Sequence, residues 1–331
     1  MIGDTAVLLV NHGAADTRAG VEPFLFNIFS DLDIIPLPGG SPARRRLARL
    51  IASRRAPKVA RLYEYMGGGS PLVPYMRAQA RGLEAELAMP VRLGLRYYPP
   101  RLADALSALV ADDVRRVVVF PQYPQWSDTT VGSVLAELDR ARDDVPGAGD
   151  LEYVVIDPFG GHPGYVALVA DLVRTAAAGC TAEPALVFSA HSVPMSKVEA
   201  GDPYPGEIAA QAHDIAVAAG FGPDGYEVAF QSRAGPVRWL GPEVRDVAAD
   251  LVRAGRREVL VVPVSFVQDH LETLVEIDVQ LSAEVEALGG RLHRVRSVNA
   301  DRRFVRLCAA LVREALAAHD PVSELAARYE R

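Results

Sequence analysis

The chain has 331 residues, half of them hydrophobic, with a net charge of −7 and a pI near 5.6. That length and apolar content can bury a large core in one large domain or two smaller ones, and the acidic balance offers no basic footprint for nucleic acid. Cys180 and Cys308 are too few for a disulfide framework or a four-cysteine iron–sulfur site and read as ordinary reduced thiols. Lys58 and Lys197, the only lysines, end no buried strand, which disfavours Schiff-base chemistry.

The chain opens as Met1-Ile2-Gly3-Asp4, with no basic n-region or cleavage site, and no apolar stretch nears the ~20 residues of a transmembrane helix, so a cytoplasmic location is expected. A first apolar strand near residues 6 to 10 runs into Asn11-His12-Gly13. The segment from Val21 to Pro38 (VEPFLFNIFSDLDIIPLP) is unusually apolar for a loop. Its Phe24, Leu25, Ile28 and Phe29 recur at helical spacing and read as core, as a lip over a large hydrophobic ligand, or, without flanking bases, as a weak peripheral contact with a membrane. Tyr63 to Leu72 (YEYMGGGSPL) sets three glycines and Ser70 ahead of a helix: either a loop whose amides approach a phosphate or carboxylate, or a plain turn. Neither G-x-x-x-x-G-K-[ST] nor G-x-G-x-x-G occurs there or after the first strand, so nucleotide binding is poorly supported. Amphipathic helices over 75 to 88 and 101 to 111 flank a strand near 91 to 95, and strands near 117 to 120 and 151 to 156 follow.

The boundary between halves falls between residues 160 and 175, taken at 165/166. Beyond it, strands are expected near 185 to 189, 226 to 231, 258 to 264 and 291 to 295, and a last helix over about 302 to 318 that packs back on the first half. The run LVFSAHSVPM drives a buried strand into His191, at the end of the sheet where ligands collect in open α/β folds. Taken alone, such an imidazole serves either as a hydrogen-bonded structural residue or as a catalyst. QSRAGPVRWLGP at 231 to 242 joins Ser232, Arg233, Arg238 and Trp239, which suits a flat ligand with acidic arms or, equally, a loop anchored by Trp239. After Val264, a helix from about residue 271 would put Glu272 and Glu276 four apart on one face, with His270 just before its first turn. Two carboxylates beside imidazole can hold a divalent cation or pass protons, because mutual repulsion raises one carboxyl pKa.

Four strands and then four more, alternating with helices, predict an α/β protein of two Rossmann-like halves. Each is a four-stranded parallel sheet flanked by helices, and the reactive side chains are expected in the cleft between them. AVLLV runs into Asn11-His12-Gly13 as ALVFS runs into Ala190-His191-Ser192, a correspondence that suggests internal duplication.

FSAHSVPM, GDPYP, AFQSRAGPVRWLGPEV and DHLETLVEID, preceded by GGGSP and PQYPQWSDTT, occur together in an order that resembles the ferrochelatase family of heme synthesis from residue 5 to about 300. The resemblance implies insertion of Fe2+ into a porphyrin, protoporphyrin IX in the first reading, with porphyrin and iron as substrates and no tightly bound cofactor. It casts His191 and Glu272 as the catalytic and metal-handling pair, with Glu276 continuing the acidic line. Tyr63, Arg96, Tyr97 and Tyr123 match its pocket positions for porphyrin contact or metal approach, Ser70 lies in its glycine-rich loop near the propionates, and Ser189 and Trp239 are expected as further porphyrin-binding residues. The chain departs from the family at His12, where many members carry leucine, which suggests an auxiliary metal ligand. Asp128 stands where some members place a cluster cysteine, so the resemblance does not bring a [2Fe–2S] cluster. Coproporphyrin insertion, or heme or metal carriage without turnover, are the competing readings; oligomeric state stays open.

Overall fold

A computed structural model describes residues 4–31, 40–222, 225–233, 235 and 237–318. Residues 32–38 of the apolar lip lie outside these. The chain divides into two compact units, one built from residues 1–122, 128–157 and 300 onward, the other from 123–127 and 158–299.

The first unit runs β1 (Thr5–Asn11), α1 (Val21–Ser30), α2 (Ser41–Leu62), α3 (Leu72–Leu87), β2 (Val91–Leu95), α4 (Leu102–Ala111), β3 (Arg116–Pro121), α5 (Ser133–Asp144) and β4 (Glu152–Val155). The second runs α6 (Pro163–Ala177), β5 (Ala185–His191), α7 (Met195–Glu199), α8 (Tyr204–Ala219), β6 (Tyr226–Gln231), α9 (Val244–Arg253), β7 (Glu258–Pro263), α10 (Leu271–Leu274), α11 (Ser282–Ala287) and β8 (Arg291–Arg294). Both sheets are four-stranded and parallel, ordered β2-β1-β3-β4 and β6-β5-β7-β8. The expected fold class is therefore the one found. β1 and β5 are central, and their near-continuous apolar runs are buried on both faces, as a central parallel strand requires.

The two sheets also correspond in register. Val10 pairs with Pro121 and Ser189 with Pro263, and in each case the next amide, of Gln122 or Val264, donates to the carbonyl of that partner at 2.9 Å. Val10 thus matches Ser189, and two residues on His12 matches His191. The duplicated plan inferred from the strand-end motifs has this backbone counterpart.

The last helix, α12 (Arg302–Ala318), turns Phe304, Val305, Cys308, Ala309, Leu311 and Val312 inward at helical spacing. It packs on α3 in the first unit, where Gly82 leaves room: a β-carbon there would lie 2.9 Å from Val305 Cγ1. The chain divides at 157/158 where 165/166 was expected, and residues 300 onward group with the first unit. Residues 123–127 group with the second unit because Gln125 donates to the Val264 carbonyl at 3.1 Å, the Trp126 amide to Glu207 at 2.7 Å and Ser127 to Asp202 at 2.8 Å.

Candidate active site

In the second unit, the carboxyl ends of β5, β6 and β7 bring an imidazole and two carboxylates together. His191 closes β5 with its side chain 39% exposed, and its Nε2 lies 3.8 Å from Glu272 Oε1. Its backbone is fixed from two sides: the His191 amide donates to Ser265 Oγ at 3.0 Å and its carbonyl accepts from the Tyr204 hydroxyl at 3.0 Å. The ring itself is oriented by a 2.6 Å contact between Nδ1 and the Ser192 carbonyl, which leaves Nε2 facing Glu272.

Glu272 sits in the first turn of α10, and its other oxygen meets His270 Nε2 at 2.7 Å. That contact is shorter than the one to His191, so the imidazole expected beside the helix start, which the resemblance did not cast as catalytic, pairs directly with Glu272. Burial pushes the His270 imidazole down, but the Glu272 carboxylate and the Gln268 carbonyl outweigh it and the net direction is up. The helix is also not the continuous α-helix expected. α10 ends at Leu274, and Glu276–Leu281 form a π-helical turn, a feature that often marks functional positions. The Glu276 carboxylate thereby accepts from Ser232 at 2.6 Å and from Gln231 Nε2 at 3.1 Å, while Gln231 also donates to the Glu272 carbonyl at 2.7 Å. Burial and then the Glu272 charge push the Glu276 carboxyl above the usual carboxylate range, against the opposing pull of Ser232, His191 and Gln231.

Below this trio lies a buried ion network. Asp269 meets Arg294 at 2.7 Å and Asn299 Nδ2 at 2.7 Å, its amide donates to Asn299 Oδ1 at 2.7 Å, and Arg294 Nε meets Asp278 at 2.7 Å. Asn299 holds a left-handed conformation, φ 50°, which an asparagine tolerates better than most residues. These contacts clamp the segment leading into His270 and Glu272.

Other expected site residues are placed differently. Ser189 is fully buried, with its hydroxyl donating to Gln231 Oε1 at 2.6 Å, so it supports Gln231 and presents nothing to a ligand. Ser70 is likewise buried, its Oγ accepting from the Leu72 amide at 3.3 Å at the start of α3. The glycine-rich loop earns its glycines locally: Gly67 and Gly68 have positive φ, and a β-carbon on Gly69 would lie 1.9 Å from the Asp16 carbonyl oxygen. Tyr63, buried in the turn after α2, is part of the same scaffold. Trp239 bridges to Pro194 in a short antiparallel pair, and the Leu240 amide donates to the Val193 carbonyl at 2.9 Å, so its loop braces the segment after His191. Arg233 and Arg238 are engaged by Glu243 and Glu199.

In the first unit, Arg96 and Tyr97 follow β2 and converge on Asp31, Arg96 through an ion pair and Tyr97 through a 2.5 Å hydrogen bond. Burial raises the Tyr97 phenol far above its ordinary value. Both line a recess of about 490 Å³ with Phe26, Arg44, Arg45 and Arg101. His12 lies tilted against Tyr97, ring centroids 5.3 Å apart, with Nε2 3.3 Å from Ser133 Oγ; among the described residues it joins no group of three metal-ligating side chains. Tyr123 is half-buried just beyond β3 and belongs to the second unit. Phe24, Leu25 and Ile28 of α1 are half-buried, while Phe29 is core against Ala48 and Ala52 of α2. No helix among the described residues is long and apolar enough to cross a membrane.

The ferrochelatase family model matches residues 4–316. The chain belongs to the ferrochelatase family. A ferrochelatase of Geotalea daltonii is 41% identical over 314 residues, covering 93% of this chain and 97% of that protein. One of Thermosynechococcus vestitus is 41% identical over 332 residues, covering 96% of this chain and 84% of that protein. Among solved structures, SirB from Bacillus subtilis with Fe3+ superposes with a TM-score of 0.57 at 13% identity, over 94% of this chain and 95% of that one. At that identity the likeness to SirB is one of fold.

Proposed function

We propose that this member of the ferrochelatase family inserts Fe2+ into protoporphyrin IX, with His191, Glu272 and Glu276 handling the protons and the entering metal. Each free-base macrocycle gives up two N–H protons as one Fe2+ enters, so insertion needs acceptors, and the ring must bend to expose its nitrogen lone pairs. The single observation that carries the reading is the 3.8 Å approach of His191 Nε2 to Glu272 Oε1 at the carboxyl ends of β5 and β7. An imidazole with one nitrogen tied to a carbonyl can take a proton at the other and share it with Glu272. Glu276, whose carboxyl burial and the Glu272 charge push upward, is a better proton acceptor than an ordinary carboxylate. Tyr123 and Trp239 of the second unit supply aromatic contact to the macrocycle; strain in the ring is met by binding energy from such remote contacts.

Given anaerobic Fe2+ or Zn2+ and protoporphyrin IX, the purified protein is expected to convert the free-base visible spectrum to that of the metalloporphyrin over many turnovers. Stoichiometric binding without metallation would exclude an enzyme. Run beside coproporphyrin III, protoporphyrin IX should give the higher kcat/KM; the reverse order would reassign the substrate.

The Ser232 hydroxyl lowers the Glu276 carboxyl, so Ser232→Ala should raise it further. Because an acceptor must be unprotonated to work, the acid limb of the kcat/KM–pH profile should move to higher pH. Superimposable profiles would remove Glu276 from the proton path.

A further inference from the structure

A second group of ligand-type side chains lies at the opposite edge of the second sheet. Cys180 Sγ, a Glu258 carboxylate oxygen and a His293 ring nitrogen all fall within 4.8 Å of one another. The topology explains their meeting. Glu258 opens β7, and since Leu260 pairs with His293 on β8, Glu258 and His293 share one face of the sheet. Their contact is short, 2.5 Å between His293 Nε2 and Glu258 Oε2. The turn from α6 to β5 then lays Cys180 over these strand starts, held by Thr181 Oγ1 donating to the other Glu258 oxygen at 2.6 Å. His191 ends the adjacent strand at the carboxyl edge, roughly 16 Å away along the strand direction at the usual rise per residue, so this group is separate from the trio that handles protons.

We infer that Cys180, Glu258 and His293 form a binding site for a divalent, borderline-soft transition metal of the Zn2+ or Co2+ type. Thiolate, imidazole and carboxylate are the donors that such ions accept, and three protein ligands leave a fourth, tetrahedral position for water. The group is half-buried, so the ions can reach it, whereas Cys308 is fully buried in α12. The charge balance is simple. Glu258 is held as carboxylate by hydrogen bonds donated by Thr181 and by His293 Nε2–H; on metal binding the imidazole exchanges its Nε2 proton through solvent for one on Nδ1, so that the Nε2 lone pair turns from Glu258 to the metal, and the thiol releases one proton to solvent as sulfur binds. A bound ion would staple the α6–β5 turn to β7 and β8.

The test is Co2+ titration of the intact chain, followed by near-ultraviolet absorption. A thiolate-to-Co2+ charge-transfer band reports this site alone, because the His191–Glu272 site has no sulfur. One such Co2+ per chain is expected, displaced by Zn2+. His293→Ala and Glu258→Gln should each weaken it by roughly 100-fold or more, above the range for losing an outer-shell partner, with far-ultraviolet circular dichroism confirming that each variant is folded. Porphyrin metallation by Cys180→Ala should be unchanged. No charge-transfer band in the wild-type protein, or the same Co2+ affinity in folded His293→Ala or Glu258→Gln, would overturn the assignment.

Discussion

Replacing His191 by alanine is expected to lower the rate of porphyrin metallation by about 100- to 10 000-fold, the usual worth of a positioned acid or base, while porphyrin affinity stays close to that of the wild type. The geometry separates these effects. His191 is held through its backbone by Ser265 and Tyr204, so the alanine variant keeps the strand end in place and loses only the ring. What disappears is the nitrogen 3.8 Å from Glu272, and with it the proposed route between a pyrrole proton and the carboxylates. The measurement is kcat for Zn2+ insertion beside a fluorescence titration of porphyrin binding. Wild-type turnover in the variant would refute the role, and equal losses in both would recast His191 as a binding residue. His270→Ala makes the useful contrast. Its contact with Glu272 positions that carboxylate, so its loss should be smaller and should leave His191 able to work.

The strands were legible because buried parallel strands are nearly pure apolar runs: VVVF and VLVV announce themselves, and all eight appear within about two residues of where pattern alone puts them. His191, Glu272 and Glu276 were legible because each follows such a run. What the sequence could not reveal depends on contacts between distant segments. Ser189 looks like any strand-end serine until β6 brings Gln231 against it and buries the hydroxyl. The π-helical turn at Glu276 breaks the simple i, i+4 spacing, and no residue between Leu274 and Leu281 is a proline or glycine that would have signalled it. His270 was visible beside the helix start, but its pairing with Glu272 depends on the extended backbone at the N-cap. The Cys180, Glu258 and His293 group has no motif, because its three members come from a turn and two strands joined only by sheet register.

Arg294→Met carries the largest expected stability loss, about 3–5 kcal/mol, the usual consequence of removing one partner from a buried ion pair. Arg294 and Asp269 are only 9% and 7% exposed, so the methionine strands the Asp269 carboxylate away from water. The sign of the pH dependence follows. In the wild type, burial pushes the Asp269 carboxyl up, but Arg294, Asn299 and the neighbouring hydroxyls outweigh it and the net direction is down. That contribution is present above the unfolded carboxyl pKa and is lost as pH falls through the depressed folded value. Without Arg294 the largest influence holding the Asp269 carboxyl down is gone and its pKa rises from the wild-type position, so protonation relieves the variant at a higher pH than it affects the wild type. The difference in melting temperature should therefore be largest near neutral pH and shrink on acidification. Asp269→Asn combined with Arg294→Met should recover part of the loss, since the buried charge is then gone, and a double-mutant cycle would measure the coupling. A single variant as stable as the wild type at neutral pH would show that the pair is hydrated and idle. Because Asp269 directly precedes His270, a loosened network should also slow metallation in protein that remains folded, and that residual rate tests whether the ion pair positions Glu272 or only holds the fold.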